Sequence, residues 1–208
     1  MHHPAAHPDF WHERWTLNQI GFHEGRPNAH LVREWPALGA GRRVLVPLCG
    51  KSADLGWLAS QGHEVVGVEL SPVACAAFFA ERNIVPTLGQ EGPFNTYEGE
   101  GILLLQGDFF ALEDSDFDAV WDRAAMIALP PHVRGRYASH VQARLRPGGV
   151  GLLVTFAYDP TKKEGPPFSV PDDEVLAAYP ATRLHHAPVD DARFAGIGAT
   201  ESVWRYTR

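Results

Sequence analysis

Apolar positions along the chain fall into two alternating patterns. Short apolar runs, RVLVPL, EVVGVEL, ILLLQGD, FDAVWDR and VGLLVTFAYD, are too brief for helices and rich in valine and leucine, so each predicts a buried strand. Longer segments with helical spacing lie between them. In SADLGWLASQG, Leu55, Leu58 and Ala59 share a stripe and Gly62 supplies the stop. In SPVACAAFFAERN, Ser71 takes the N-cap and Pro72 the first helical position. In PPHVRGRYASHVQARLRPGG, Val133, Tyr137, Val141 and Leu145 line one face, closed by Pro147 and two glycines. Strand and helix in alternation predict an α/β chain with a mostly parallel sheet and helices on both of its faces. The tail breaks the rhythm: RLHHAPVDD and ESVWRYTR read as two late strands closing the sheet as an antiparallel pair. GQEGPFNTYEG, ahead of the third strand, reads as a surface hairpin. The first forty residues stand outside the repeat and carry the aromatic stretch FWHERWTLNQIGFHEGRPN, placed to cap a site. The expected organisation is a single domain over 1–208, with a lid over 1–40 and the core over 41–208.

Composition narrows the partners more than the fold. The 208 residues carry a formal net charge of −7, which argues against nucleic acid or an anionic membrane as partner. No apolar run approaches the roughly 20 residues of a membrane span, and the polar start MHHPAAHPDF lacks a signal-peptide core. Only two cysteines are present, Cys49 and Cys75, so no disulfide framework is indicated and a reducing cytoplasm is expected. A monomer is the default expectation.

Chemistry enters at VLVPLCGKSADL (Val44 to Leu55), which ends in the Gly-Lys-Ser of a phosphate-binding loop. Such a loop needs another glycine well ahead of the Gly-Lys pair so that its backbone can curl around a phosphate. Leu45, inside the apolar strand, stands there instead. A dinucleotide's pyrophosphate makes a similar demand for several glycines, and this turn offers only Gly50. A nucleoside-type ligand without phosphates, such as S-adenosylmethionine, asks for one small residue. Glu69 ends the second strand 19 residues after Gly50, close to the spacing at which a carboxylate meets ribose hydroxyls in related sheets. Asp108 ends the third strand, where an adenine edge would be read, and Asp122 and Arg123 end the fourth, beside the methyl donor. Each signal is weak singly, because strand-end carboxylates are commonly solvated caps. Their order on this fold pattern favours S-adenosylmethionine over a nicotinamide cofactor.

The strings FWHERWTLNQIGFHEGRPN, VLVPLCGKSADLGWLASQGHEVVGVELS, WDRAAMIALPP and YDPTKKEGPPFSVP resemble the thiopurine S-methyltransferase family, in order and over nearly the whole chain. The resemblance implies a Rossmann-like class I methyltransferase fold: a mostly parallel seven-stranded sheet, helices on both faces and an N-terminal lid. It implies S-adenosylmethionine as cofactor, S-adenosylhomocysteine as product and a small thiol such as a thiopurine as acceptor. Position by position, it assigns Trp11 and Leu48 to the cofactor pocket already indicated by Gly50, Glu69 to the ribose and Asp108 with Phe109 to the adenine. Arg123 falls near the methionine end, as catalytic residue or cofactor ligand, with Phe22 toward the acceptor; Phe168, in the turn after the fifth strand, is expected to pack near the same site. A soft sulfur nucleophile needs positioning and charge stabilisation more than a strong base, so no metal and no covalent intermediate are expected.

Plainer readings stand beside these. Trp11 and Trp15, spaced i, i+4, share a helix face and could simply pin the N-terminus to the core. Cys49 reads as a small buried thiol and Lys51 as a solvated or capping lysine. The histidines His2, His3, His7, His12, His185 and His186 lack zinc-site spacing. Gly165-Pro166-Pro167-Phe168 is a rigid turn or part of the acceptor wall. Competing functions are methylation of selenium, tellurium or halide species, linked to detoxification, a non-catalytic S-adenosylmethionine-binding regulator, and, least favoured, a nicotinamide oxidoreductase.

Overall fold

Side-chain alternation sorts the strands into two buried faces. The computed structural model describes residues 3–39 and 41–208. In β1 (Arg43–Pro47), Val44 and Val46 belong to one apolar cluster and Leu45 to the other. In β2 (Glu64–Glu69), Val65 joins the first cluster, while Val66 and Val68 join the second. The same sorting holds along β5 (Ile102–Gln106), β6 (Phe117–Arg123) and β7 (Leu145–Ala157), where Leu104, Trp121 and Leu152 face one side and Leu105, Val120 and Leu153 the other. Strands buried on both faces show as continuous apolar runs, which is why these five were legible.

Four more strands complete the sheet: β3 (Thr87–Glu91), β4 (Phe94–Gly99), β8 (Ala181–Pro188) and β9 (Thr200–Thr207). The order is β3-β4-β5-β2-β1-β6-β7-β9-β8. Strands β5, β2, β1, β6 and β7 run parallel, and β9 with β8 closes one side antiparallel. The sheet therefore has nine strands rather than seven, because GQEGPFNTYEG pairs with β5 as the antiparallel hairpin β3–β4 and lengthens the other edge. From β1 the chain proceeds outward through β2 and β5 on one side and through β6 and β7 on the other. The topological switch point thus lies between β1 and β6, where sheets of this kind hold ligands at the strand carboxyl ends.

The helices are α1 (Pro8–Thr16), α2 (Ala29–Glu34), α3 (Ala53–Ser60), α4 (Pro72–Ala80), α5 (Pro131–Arg144) and α6 (Asp172–Ala178). Ser52 caps α3 by accepting from the Asp54 amide at 3.2 Å, and Ser71 caps α4 with Pro72 behind it, as the sequence indicates. Helix α5 stops at Arg144, earlier than expected: Leu145 opens β7 opposite Phe117, fully buried, so the last residue of the supposed helical stripe is a strand residue. Helices α2, α3 and α4 cover the face holding Leu31, Trp35, Leu55 and Phe78. Helices α5 and α6 cover the face holding Tyr137, Val141 and Val175. Among the described residues, no helix is long and apolar enough to cross a membrane.

Candidate active site

At the carboxyl ends of β1, β2, β5 and β6 lies a cavity of about 490 Å³, roofed by the N-terminal segment. This is within the range of about 300–1,000 Å³ usual for small-ligand pockets. Trp11, Phe22, Leu48, Gly50, Glu69, Asp108, Phe109 and Arg123 all line it, so eight of the ten residues selected from the sequence meet in one space.

The β1 turn is built on unusual backbone. Leu48 has φ +48° and Gly50 φ +55°, both left-handed, and at the end of neighbouring β6 Ala124 has φ +74°. Two non-glycine residues held in this region, both lining the cavity on either side of the switch point, mark a turn that the surrounding structure over-determines. At Gly50 a side chain is disfavoured twice over: besides the φ, a Cβ would press on the Trp15 indole at 3.0 Å.

Glu69 organises this turn. One carboxylate oxygen accepts from the Gly50 amide at 2.8 Å and the other from the Ser71 amide at 2.7 Å. The residue is only 6% exposed, and burial pushes its carboxyl up to about 7, against the pull of those amides. Each oxygen retains acceptor capacity for a hydroxyl pair. Asp108 is used differently. Its Oδ1 accepts from the Phe110 amide at 2.9 Å, capping a short 3-10 turn that presents Phe109, itself packed edge-on against His140 at 5.0 Å between ring centres.

The roof is held by side chains. Trp11 donates its indole N–H to the Ala5 carbonyl at 3.1 Å, and Phe22 lies edge-on to both Trp11 and Trp15. Trp15 is buried against the β1 turn, whereas Trp11 remains half-exposed and faces the cavity. Arg123 donates to the Phe22 carbonyl at 3.1 Å and pairs with Glu24. Arg193, from the β8–β9 connection, donates to the Gly21 carbonyl at 2.7 Å and pairs with Asp191. Behind them, buried Asp54 accepts from the Asn28 amide at 2.7 Å and from the Trp121 indole at 2.8 Å, fixing the point where the roof joins the core.

Several expectations change. Phe168 does not line the cavity: its ring folds over Gly165, where a Cβ would sit 2.2 Å from it, and packs on His3, leaving Pro166 and Pro167 as the wall. Asp122 does not face the cavity either. Strand alternation sends it to the opposite face from Arg123, where it accepts from the Tyr137 hydroxyl at 2.7 Å and the Met126 amide at 3.2 Å, with burial raising its carboxyl to about 6. Lys51 is not solvated but ion-paired to Glu81 at 2.5 Å, with its side chain 12% exposed. Cys49 is buried, and burial raises its thiol well above the ordinary range. Of the histidines, His185 lies tilted against His30 at 5.1 Å between ring centres and His186 contacts Ser202, while His2 lies outside the described residues. Among the described residues, no cluster of His, Cys, Asp or Glu side chains could hold a metal ion. Sequence reasoning missed Arg193, Arg14, Tyr137 and the Ala5–Pro8 stretch of the wall. No local motif marks Arg193, and Arg14 sits unannounced inside the W-x-x-x-W string.

A parallel sheet with this strand order and a roofed cavity at its switch point defines a class I methyltransferase fold. Solved structures agree on that fold. The chain is similar to a Burkholderia thailandensis 1,6-didemethyltoxoflavin-N1-methyltransferase with bound S-adenosylhomocysteine, at TM-score 0.68 and 19% identity, covering 97% of this chain and 86% of that one. It is also similar to a TehB-like SAM-dependent methyltransferase from Corynebacterium glutamicum, at TM-score 0.58 and 16% identity, covering 98% and 99%. The family description Thiopurine S-methyltransferase (TPMT) matches residues 6–201. The thiopurine S-methyltransferase of Pseudomonas fluorescens strain SBW25 is 52% identical over 177 residues, 83% of this chain and 81% of that protein. That of Xanthobacter autotrophicus is 44% identical over 211 residues, 97% and 99% of the two chains. The chain belongs to the thiopurine S-methyltransferase family.

Proposed function

We propose that this chain is a thiopurine S-methyltransferase that uses S-adenosylmethionine, with lid and core acting as one domain. The observation that carries the reading is the single cavity joining Leu48, Gly50, Glu69, Asp108 and Phe109 to Trp11, Phe22 and Arg123. The donor set fits the cofactor. Glu69 offers two buried acceptor oxygens to a ribose diol, Phe109 an apolar ring for adenine, and the Leu48–Gly50 turn a close backbone approach without any multi-glycine phosphate cradle.

When bound, S-adenosylmethionine supplies a methyl group on a sulfonium, which an acceptor sulfur displaces in line to leave S-adenosylhomocysteine. The residues provide position and charge. Phe22 presents its ring to an aromatic acceptor beside the Pro166–Pro167 wall, while Trp11, edge-on to it, covers the cofactor pocket. Arg123 uses two of its nitrogens on the lid, leaving N–H groups free to orient the cofactor or stabilise a thiolate. Phe168 backs the wall and acts on the acceptor only through Gly165 and the prolines. Two buried free cysteines and an acidic surface suit a cytoplasmic monomer with small-molecule partners and no nucleic acid or membrane.

A radiolabelled-methyl assay across 6-mercaptopurine, selenite, tellurite and iodide tests the reading. Saturable transfer to 6-mercaptopurine is expected. Turnover confined to the inorganic acceptors would replace the thiopurine, and S-adenosylhomocysteine binding without turnover on any acceptor would make the chain a regulator.

A further inference from the structure

The cations lining the cavity differ in what already holds them. Lys51, Arg123 and Arg193 each have a carboxylate partner: Glu81, Glu24 and Asp191. Arg136 lies exposed on the rim with its guanidinium 3.9 Å from the Phe110 ring centre, and Lys163 sits 5.7 Å from the Phe194 ring. Arg14 is distinct. Its Nε is buried and, among the described residues, meets no acceptor, while the guanidinium rests 4.3 Å from the centre of the Phe10 ring. A buried, unpaired guanidinium nitrogen is costly, and an aromatic face compensates only in part. Stacking also fixes the plane of the fork, and with Nε closed off from solvent it is the two terminal nitrogens that are left to meet a planar two-oxygen anion. Arg14 lines the same cavity as Leu48 and Gly50 of the β1 turn, reaching it from α1 in the lid.

We propose that Arg14 is the receptor for the carboxylate of the cofactor's methionyl end, closing a two-pronged ion pair from the lid. The inference rests on S-adenosylmethionine as cofactor: within that ligand the carboxylate is the sole anionic group. It adds a charged contact to the lid's share of the cofactor site, beside Trp11, and it separates the carboxylate site from Arg123, which Glu24 and the Phe22 carbonyl already tie to the lid.

Calorimetric titration of the wild-type chain and Arg14→Gln with two probes tests this: S-adenosylhomocysteine and its decarboxylated analogue. The wild type is expected to bind S-adenosylhomocysteine the more tightly. Arg14→Gln should lose roughly 10- to 100-fold on S-adenosylhomocysteine, the scale of a charged hydrogen-bonded contact, and less than about threefold on the analogue, with Arg14→Lys recovering part of the loss. Equal loss on both probes, no loss on either, or a raised acceptor KM with cofactor affinity intact would overturn the assignment. Wild-type chain that binds neither probe would overturn the cofactor reading itself. Unchanged thermal unfolding of the variant shows that the loss is not one of folding.

Discussion

The two walls of the cavity are built on different principles. The strand-end wall is backbone locked from within by one buried side chain: the β1 turn, with left-handed Leu48 and Gly50, is tied by the Glu69 carboxylate to the start of α4. The roof is a short helix and loop held by side chains, through Arg123 on Phe22, Arg193 on Gly21 and Trp11 on Ala5. The first wall is preorganised at a cost in strain and desolvation. The second depends on a few polar ties that can be released one at a time, as a segment that must admit and discharge ligands requires. Cofactor affinity should therefore answer to the strand-end wall and, at Arg14 alone, to the roof, whereas the polar ties of the roof should act on acceptor turnover.

The contrast is broken most severely at Arg123, which belongs to both walls. Arg123→Ala should lower kcat/KM for thiopurine about a hundredfold or more, the scale of removing a preorganised charge-stabilising donor. Steady-state kinetics checks this, and a change below about threefold would make Arg123 a structural tie alone.

Acidity should act on the strand-end wall next. Glu69 titrates near 7 in the folded chain against an ordinary value of 4.5, so folding takes up a proton between those values. The group's contribution to stability is therefore fully present below about pH 4.5 and is lost as pH rises through about 7. Ribose binding requires the ionised form, so S-adenosylhomocysteine affinity should move the opposite way, falling toward tenfold per unit as pH drops below about 7. Asp122 titrates near 6, and Glu69→Gln separates the two: its affinity, weaker throughout, should lose most of this slope.

Gly50→Ala forces a Cβ into left-handed backbone against Trp15. The conformation costs roughly 1–2 kcal/mol, which for a chain of this size lowers the melting temperature by roughly 2–8 °C. Circular dichroism melts check it, and cofactor affinity should fall in parallel. The smallest effect is expected at the roof. Arg193→Ala releases only the Gly21 carbonyl and a half-exposed ion pair, so a three- to fivefold rise in acceptor KM, about 1 kcal/mol, is expected with cofactor affinity unchanged.

The same contrast explains what was legible in the sequence. Strand-end residues announce themselves because periodicity places the strand and the strand places its last residue: Gly50 and Glu69 follow from the runs that precede them, while Leu48 is marked only by the family resemblance. Periodicity fails where two elements abut without a break, so Leu145, apolar in either setting, was read into the wrong element. It also says nothing about which face a single strand end turns to the site, which is why Asp122 and Arg123 were placed together although they point apart. The roof is legible only as an aromatic-rich segment. The tie from Arg193 spans 172 residues and depends on how the β8–β9 connection returns over the sheet, which no local pattern encodes. Phe168 was misjudged for a similar reason: the string placed it near the wall, and only close packing over Gly165 turns its ring away.

Whether the strand-end wall holds the cofactor through Glu69 is read from a calorimetric titration of wild-type chain and Glu69→Ala with S-adenosylhomocysteine at pH 8. Two hydrogen bonds from hydroxyls to a buried carboxylate are worth roughly 3 kcal/mol or more together, hence a loss of about a hundredfold or greater. The fold should persist, as judged by an unchanged circular dichroism spectrum. Equal affinity in the two proteins would contradict the account.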